Sequence, residues 1–259
     1  MQNVALVTGA SSGIGLELAR LHASRGGDLV LVARREERLN EIKADFERAF
    51  GIEALVIASD LTDPAAPQNL YDALHNQGVT VDILINNAGF GGHGRFIDRD
   101  WDGDGPMIQL NVTALTRLMH LFVPGMVARG QGRLMNVASL AGFVPGPLQA
   151  VYYATKAYVL SLSEAVSKEL EGTGVTVTAL CPGLTKTEFL ERANMDGIQG
   201  AKLGAMSAEQ VARAGYEGLL AGETVVVPGA LNKLNAHVIL PLLPRSLVRT
   251  ISMKTMEKG

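Results

Sequence analysis

The chain has 259 residues, with 23 Lys and Arg against 26 Asp and Glu, a formal charge of −3. A 47% hydrophobic and 19% charged composition is globular, and the length suits one large domain or two small ones. The mild acidity and lack of basic runs exclude nucleic acid as an expected partner. The single cysteine, Cys181, excludes an intramolecular disulfide and any multi-cysteine zinc site.

Met1-Gln2-Asn3 runs straight into Val4-Ala5-Leu6-Val7, so no secretory leader is expected and the expected location is cytoplasmic. Short apolar runs follow one another at Val4–Val7, Leu29–Ala33, Ala54–Ala58, Ile83–Ile85, Leu134–Val137, Val175–Leu180 and Thr224–Val227. Amphipathic stretches separate them, among them Leu16–Arg25, Arg38–Phe50, Met107–Ala128 and Val151–Leu170. Nearly continuous apolar runs predict strands covered on both faces. Strand alternating with helix predicts one doubly wound, Rossmann-type α/β domain, a parallel sheet of about seven strands with helices on both sides. Residues 1–229 form that domain, and 230–259 a basic extension packed on or beside it. The uncharged stretch Leu134–Thr155 contains Asn136, Gly142, Pro145 and Pro147, and reads as strand, loop and helix start rather than a membrane span.

The first strand opens into Thr8-Gly9-Ala10-Ser11-Ser12-Gly13-Ile14-Gly15 and then a helix. A glycine turn at a helix N-terminus bares backbone amides to a pyrophosphate, which makes Gly9, Ser11, Ser12, Gly13, Ile14 and Gly15 candidate dinucleotide contacts. Arg34 and Arg35 end the second strand, where an acid would favour a ribose diol. Guanidinium suits a 2′-phosphate, so NADP(H) is expected over NAD(H). Asp60 and Leu61 after the third strand, and Asn86-Asn87-Ala88-Gly89 after the fourth, occupy the next strand ends and are candidate cofactor contacts.

Ser139 follows the fifth strand, and Tyr152 and Lys156 stand four apart on a predicted helix, one turn apart on one face. A nearby ammonium favours the phenolate and is expected to acidify Tyr152 for proton exchange with an alcohol or carbonyl oxygen. Tyr153, three before Lys156, is expected to point elsewhere. The five histidines show no metal-ligand spacing, and no metal is expected.

Together, Thr8–Gly15, Asn86–Gly89, Asn111, Ser139, Tyr152-x-x-x-Lys156 and Pro182-Gly183 resemble the short-chain dehydrogenase/reductase family over roughly residues 4 to 228. The resemblance implies that Tyr152 is the general acid/base, that Lys156 lowers its pKa and binds the nicotinamide ribose, and that Ser139 orients the substrate oxygen. It also implies that Asn111, within a helix, anchors a relay water. Pro182, Gly183 and Thr185 would border the nicotinamide, with Thr187 reaching the pyrophosphate. A homodimer or homotetramer through Met107–Ala128 and Val151–Leu170 is implied as well.

Asp102-Gly103-Asp104-Gly105-Pro106 breaks the usual pattern, so the helix leading to Asn111 is expected to start at Pro106. Gly91–Phe96, Phe143–Gln149 and Leu184–Ala205 are expected to form the substrate pocket. Apolar Phe143, Val144, Leu148, Phe189 and Leu190 suggest a hydrophobic alcohol or carbonyl substrate. Two other functions stay open: a nucleotide-binding regulatory protein with little turnover, and a membrane-surface reductase of lipid-like carbonyls that uses the basic tail as its contact.

Overall fold

The computed structural model describes residues 1–195, 197–200 and 204–258. From the N-terminus the chain runs β1 (Ala5–Thr8), α1 (Gly13–Ala23), β2 (Leu29–Ala33), α2 (Glu36–Phe50), β3 (Ala54–Ala58), α3 (Ala66–Asn76) and β4 (Ile83–Asn86). Next come α4 (Trp101–Ile108), a π-helical turn (Gln109–Ala114), α5 (Leu115–Arg129), β5 (Gly132–Val137), α6 (Ala150–Glu169) and β6 (Val175–Leu180). A short ribbon of β7 (Thr185–Lys186) and β8 (Met206–Ser207) encloses α7 (Glu188–Arg192). The strand β9 (Val225–Val226) follows α8 (Ala208–Ala221).

The main sheet is parallel throughout, in the order β3-β2-β1-β4-β5-β6-β9. Alternate side chains of each strand serve opposite faces. Val4 and Leu6 join the core under α3, α5 and α6, while Ala5 and Val7 join the one under α1, α2 and α8. The strand order reverses between β1 and β4, which opens a crevice at their carboxyl ends where α/β sheets take ligands.

The chain does not wait for Pro106 to enter its fourth helix. Asp100 caps α4 by accepting a hydrogen bond from Gly103 N at 2.9 Å, and Arg99 pairs with the buried Asp104. A side-chain cap, two aspartates at the positive end of the helix dipole and the burial of Met107 outweigh the glycines and the missing proline donor.

Beyond β9, residues 230–258 fold as α9 (Ala230–Leu234), a second π-helical turn (Asn235–Ile239), α10 (Leu240–Leu242) and α11 (Arg245–Met256). Val248, Ser252 and Met256, four apart, are the buried stripe of α11. The extension is fastened from two sides: His93 Nε2 lies 2.7 Å from Met256 O, and Gln199 N donates to Glu257 O at 2.9 Å.

Candidate active site

The crevice widens into a cavity of about 1000 Å3 that runs from the glycine turn to the C-terminal extension. At its nucleotide end, Gly9 has a φ of +69°, a conformation other residues avoid, and a Cβ there would lie 2.7 Å from Asn87 Nδ2. Ser12 is the N-cap of α1 yet makes no side-chain bond to the helix, so the first-turn N–H groups remain free for an anion. Ser11, Ser12, Gly13 and Ile14 line the cavity. Gly15 does not. It is buried where a Cβ would meet Asn87 Nδ2 at 2.3 Å and Gly9 O at 2.5 Å, so its role is close helix–strand packing.

One hydroxyl ties the two central strands together. Thr8 Oγ1 accepts hydrogen bonds from Asn87 N and Ala88 N, each at 3.0 Å, and donates to Ile85 O at 3.3 Å. Asn87, Ala88 and Gly89 therefore face the cavity, whereas Asn86 turns inward and donates to Asn136 Oδ1 at 3.0 Å. The expectation that Asn86 contacts cofactor is corrected on this ground: its amide is part of a buried polar ladder. Asn136 continues that ladder by donating to Ser163 Oγ at 2.9 Å.

Arg34 and Arg35 both reach the cavity rim by different routes. Arg35 donates to Ser11 Oγ at 3.0 Å and pairs with Glu188 at 3.2 Å. Arg34 lies 4.0 Å from Asp60 and is well exposed. Burial pushes the Asp60 carboxyl up, but the bonds it accepts from the Thr62 backbone and hydroxyl, together with the Arg34 charge, hold it below its ordinary value. Leu61 lines the cavity beside it, as does Thr62, which the sequence reading missed.

At the other end stand Ser139, Tyr152 and Lys156. Ser139 lies two residues beyond β5 in extended backbone and caps the turn at Leu140–Phe143, its Oγ accepting a bond from Ala141 N at 3.1 Å. Lys156 Nζ donates to Val137 O at 2.7 Å and lies 5.8 Å from the centre of the Tyr152 ring. Burial lowers the amine to about 8. Burial also pushes the Tyr152 phenol well above its ordinary range; the Ser139 hydroxyl beside it pulls the other way. Lys156 thus stands beside Tyr152 as the i, i+4 spacing predicts. In this apolar setting desolvation of both groups prevails.

Asn111 sits in the π-helical turn between α4 and α5, not in regular α-helix. The wider turn carries its amide inward, where it donates to Phe90 O at 2.9 Å and Thr155 Oγ1 at 3.1 Å and accepts from Phe90 N at 3.2 Å. It does not line the cavity. Gly89 stands before it: a Cβ there would lie 3.0 Å from Asn111 Oδ1 and 3.6 Å from Lys156 Nζ.

Pro182, Gly183, Thr185 and Thr187 close the cavity from the β6 side, and Thr187 Cγ2 would touch a Cβ on Gly13 at 3.0 Å. The bare helix terminus, the side-chain-free turn and the two rim arginines fit a phosphorylated dinucleotide. The nicotinamide end would then face Tyr152.

The substrate end departs from expectation in several places. Phe90, Val144, Gln149, Leu184, Phe189 and Leu190 line it, but Gly91–Phe96 do not, because His93 and Gly94 are spent holding Met256 and Leu148. Phe143 turns away to stack edge-on with His237. Of the expected Leu184–Ala205 wall, residues 196 and 201–203 lie outside the described residues. Tyr153 lines the cavity too, edge-on to Tyr152 at 6.2 Å and beside Ser252. The largest omission is the extension, which supplies Leu231, Asn232, Ile239, Leu243, Val248 and Met256 to the same wall. The four-residue spacing of Val248, Ser252 and Met256 was the available signal.

The other reactive groups are structural. Burial pushes the Cys181 thiol up to about 12. His22 is lowered by burial and bridges Asn3 O and the Tyr216 hydroxyl at 2.7 and 2.8 Å. Among the described residues no cluster of three metal-ligating side chains occurs.

Residues 3–197 match the family model described as short chain dehydrogenase. The chain is a short-chain dehydrogenase/reductase. Its similarity to solved members extends beyond that span. A short-chain dehydrogenase from Sphingobium yanoikuyae, in complex with NADPH, shares 37% identity over 90% of each chain with a TM-score of 0.83. A bulky-bulky ketone specific alcohol dehydrogenase from Comamonas testosteroni shares 30% identity, covering 94% of this chain and 96% of that one, with a TM-score of 0.78. The 7beta-hydroxysteroid dehydrogenase of Collinsella aerofaciens is 30% identical over 234 residues, 90% of this chain and 88% of its own. This short-chain dehydrogenase/reductase is therefore an oxidoreductase, with the sheet, glycine turn and Ser-Tyr-Lys constellation in one cavity.

Proposed function

We propose that the protein is an NADP(H)-dependent oxidoreductase that interconverts a bulky hydrophobic alcohol and its carbonyl compound, a secondary alcohol with a ketone or a primary one with an aldehyde. The observation that carries this reading is the single cavity in which Tyr152, Ser139 and Lys156 stand between a nucleotide-shaped crevice and a largely apolar wall. When bound, the nicotinamide supplies the hydride to the carbonyl carbon and afterwards carries a positive charge beside the phenol.

In the reducing direction Ser139 donates a hydrogen bond to the substrate oxygen and holds it beside Tyr152. Tyr152 transfers its hydroxyl proton to that oxygen, so the carbonyl becomes an alcohol and the tyrosine a phenolate. Oxidation reverses the path. A buried phenolate is costly here, and the Lys156 ammonium, 5.8 Å from the ring centre, is the protein's own charge that offsets it. Asn111 holds Phe90 and Thr155 beneath this group and is one layer removed from the reacting atoms.

Preference for the 2′-phosphate is supported by Arg34 and Arg35 at the end of β2, by Arg35 being pre-positioned on Ser11, and by the NADPH-bound relative. A bulky apolar substrate is supported by Val144, Leu184, Phe189, Leu190 and the extension residues, and by the ketone and steroid specificities of the relatives. Homo-oligomerisation through α4–α5 and α6 belongs to the same reading.

The test is Tyr152→Phe assayed for NADPH consumption across a panel of bulky ketones, with NADPH binding followed by fluorescence. Turnover should fall by about 100-fold to 10,000-fold while NADPH binding stays intact. Unchanged turnover would refute the assignment.

A further inference from the structure

We propose that the outer face of the C-terminal extension is a docking surface for an anionic lipid bilayer, from which the cavity draws its substrate. The inner face of residues 230–258 walls the cavity, yet the outer face is far from the polar surface expected of a solvated helix pair. Leu231, Leu234, Val238 and Leu242 are exposed at spacings of three, four and four, which is one stripe along a helical path, and Leu242 is 79% exposed. Leu247 and Ile251 form a second exposed stripe on α11. Apolar side chains in such an array are the feature of a helix that lies in a membrane interface.

Charge selects the occupant. The extension carries five basic side chains against the single acid Glu257, a net of +4. The other 229 residues hold the remaining 18 basic and 25 acidic side chains, a net of −7. The segment that carries the apolar stripes is thus net basic on an otherwise acidic protein. Lys233, Arg245, Arg249 and Lys254 are exposed, and none makes an ion pair among the described residues. A second copy docked here about a twofold axis would set +4 against +4. An anionic bilayer takes both the stripes and the cations.

Leu231, Ile239 and Ile251 are exposed and also line the cavity, so the docking face and the apolar end of the cavity share a wall. A lipid-dissolved alcohol or ketone would meet the protein at residues that belong to both the docking face and the cavity wall. This route rests on the oxidoreductase reading above; the docking itself does not.

The experiment uses the full chain, because deleting a cavity wall would confound folding with binding. Sucrose-loaded vesicles of phosphatidylcholine alone, or with phosphatidylserine, are sedimented with the protein at low and high salt. The expected result is binding to the anionic vesicles that weakens as salt rises. Each cation at the surface is worth about fivefold, so Arg249→Glu/Lys254→Glu should bind about 25-fold more weakly or worse. Leu242→Asp should lose about 50-fold or more, well beyond the roughly fivefold that its added negative charge accounts for. None of these three residues lines the cavity, and turnover of a soluble ketone serves as the folding control. No sedimentation with anionic vesicles, equal binding to both vesicle types, or binding insensitive to both variants would overturn the proposal. So would a concentration-dependent dimer that Leu242→Asp dissolves without any vesicle binding, which would make the stripe an interface between copies. Each of these failures leaves the Tyr152 test untouched.

Discussion

Lys156 gives the sharpest test of how the site is built, because its service to the chemistry and its effect on stability have opposite signs. The amine is buried and its pKa falls from 10.5 to about 8, which at about 1.36 kcal/mol per pH unit is a penalty of about 3 kcal/mol for holding it charged at pH 7. Lys156→Met removes that penalty and also leaves Val137 O without its donor, at a cost of about 1–3 kcal/mol. At pH 7 the variant without cofactor should therefore be between equal to the parent and about 2 kcal/mol more stable. Below pH 8 both folded and unfolded lysine hold the proton, and the parent carries the whole penalty. Between pH 8 and 10.5 the unfolded state binds more protons than the folded one, so raising pH stabilises the parent relative to the variant. The advantage of Lys156→Met should shrink by about 2 kcal/mol from pH 7 to pH 10. Urea unfolding of both proteins at several pH values, read as the difference so that other titrations cancel, measures this directly. A difference that does not change with pH, or a variant more than about 3 kcal/mol less stable at pH 7, would refute the reasoning. Turnover of the variant should collapse under all these conditions.

Three further outcomes follow from the same geometry. Arg34→Asp, which removes a rim guanidinium and adds a like charge to a bound phosphate, should raise the KM for NADPH by about tenfold to a hundredfold. Its KM for NADH should be unaffected or improved, and an unchanged ratio would remove the arginine argument. Gly15→Ala should destabilise the fold by about 1–3 kcal/mol, since its Cβ would sit 2.3 Å from Asn87 Nδ2; a thermal melt indistinguishable from the parent would contradict the packing role. His93→Ala, by releasing Met256 O, should raise the KM for a bulky ketone while the KM for NADPH stays constant, as initial-rate kinetics will report.

The nucleotide half of the fold was legible because each feature there is local. An apolar run marks a strand buried on both faces, and β2, β3 and β6 match their sequence-derived bounds residue for residue. The glycine turn, the rim arginines and the Tyr152–Lys156 spacing are likewise short-range signals. What the sequence hid depends on partners far along the chain. Asn86 and Asn87 are identical neighbours, and the bond from Asn86 to Asn136 across the strand pair holds one inward while the other stays at the crevice. The start of α4 was misread because glycine and proline argue locally against a helix, while Asp100 and the Arg99–Asp104 pair argue for it through side-chain geometry. Spacing likewise reveals that Lys156 is near Tyr152, whereas the burial that raises the phenol is a property of the whole fold.

The cavity assembled from two distant stretches has an evolutionary corollary. The glycine turn, the rim arginines and the Ser-Tyr-Lys group all fall before residue 188, whereas Leu231, Asn232, Val248 and Met256 arrive more than forty residues later. Part of the apolar wall is thus encoded apart from the Ser-Tyr-Lys group. Exchanging the terminal helices would redraw that part of the wall while Ser139, Tyr152 and Lys156 kept their places, so the two stretches can vary independently.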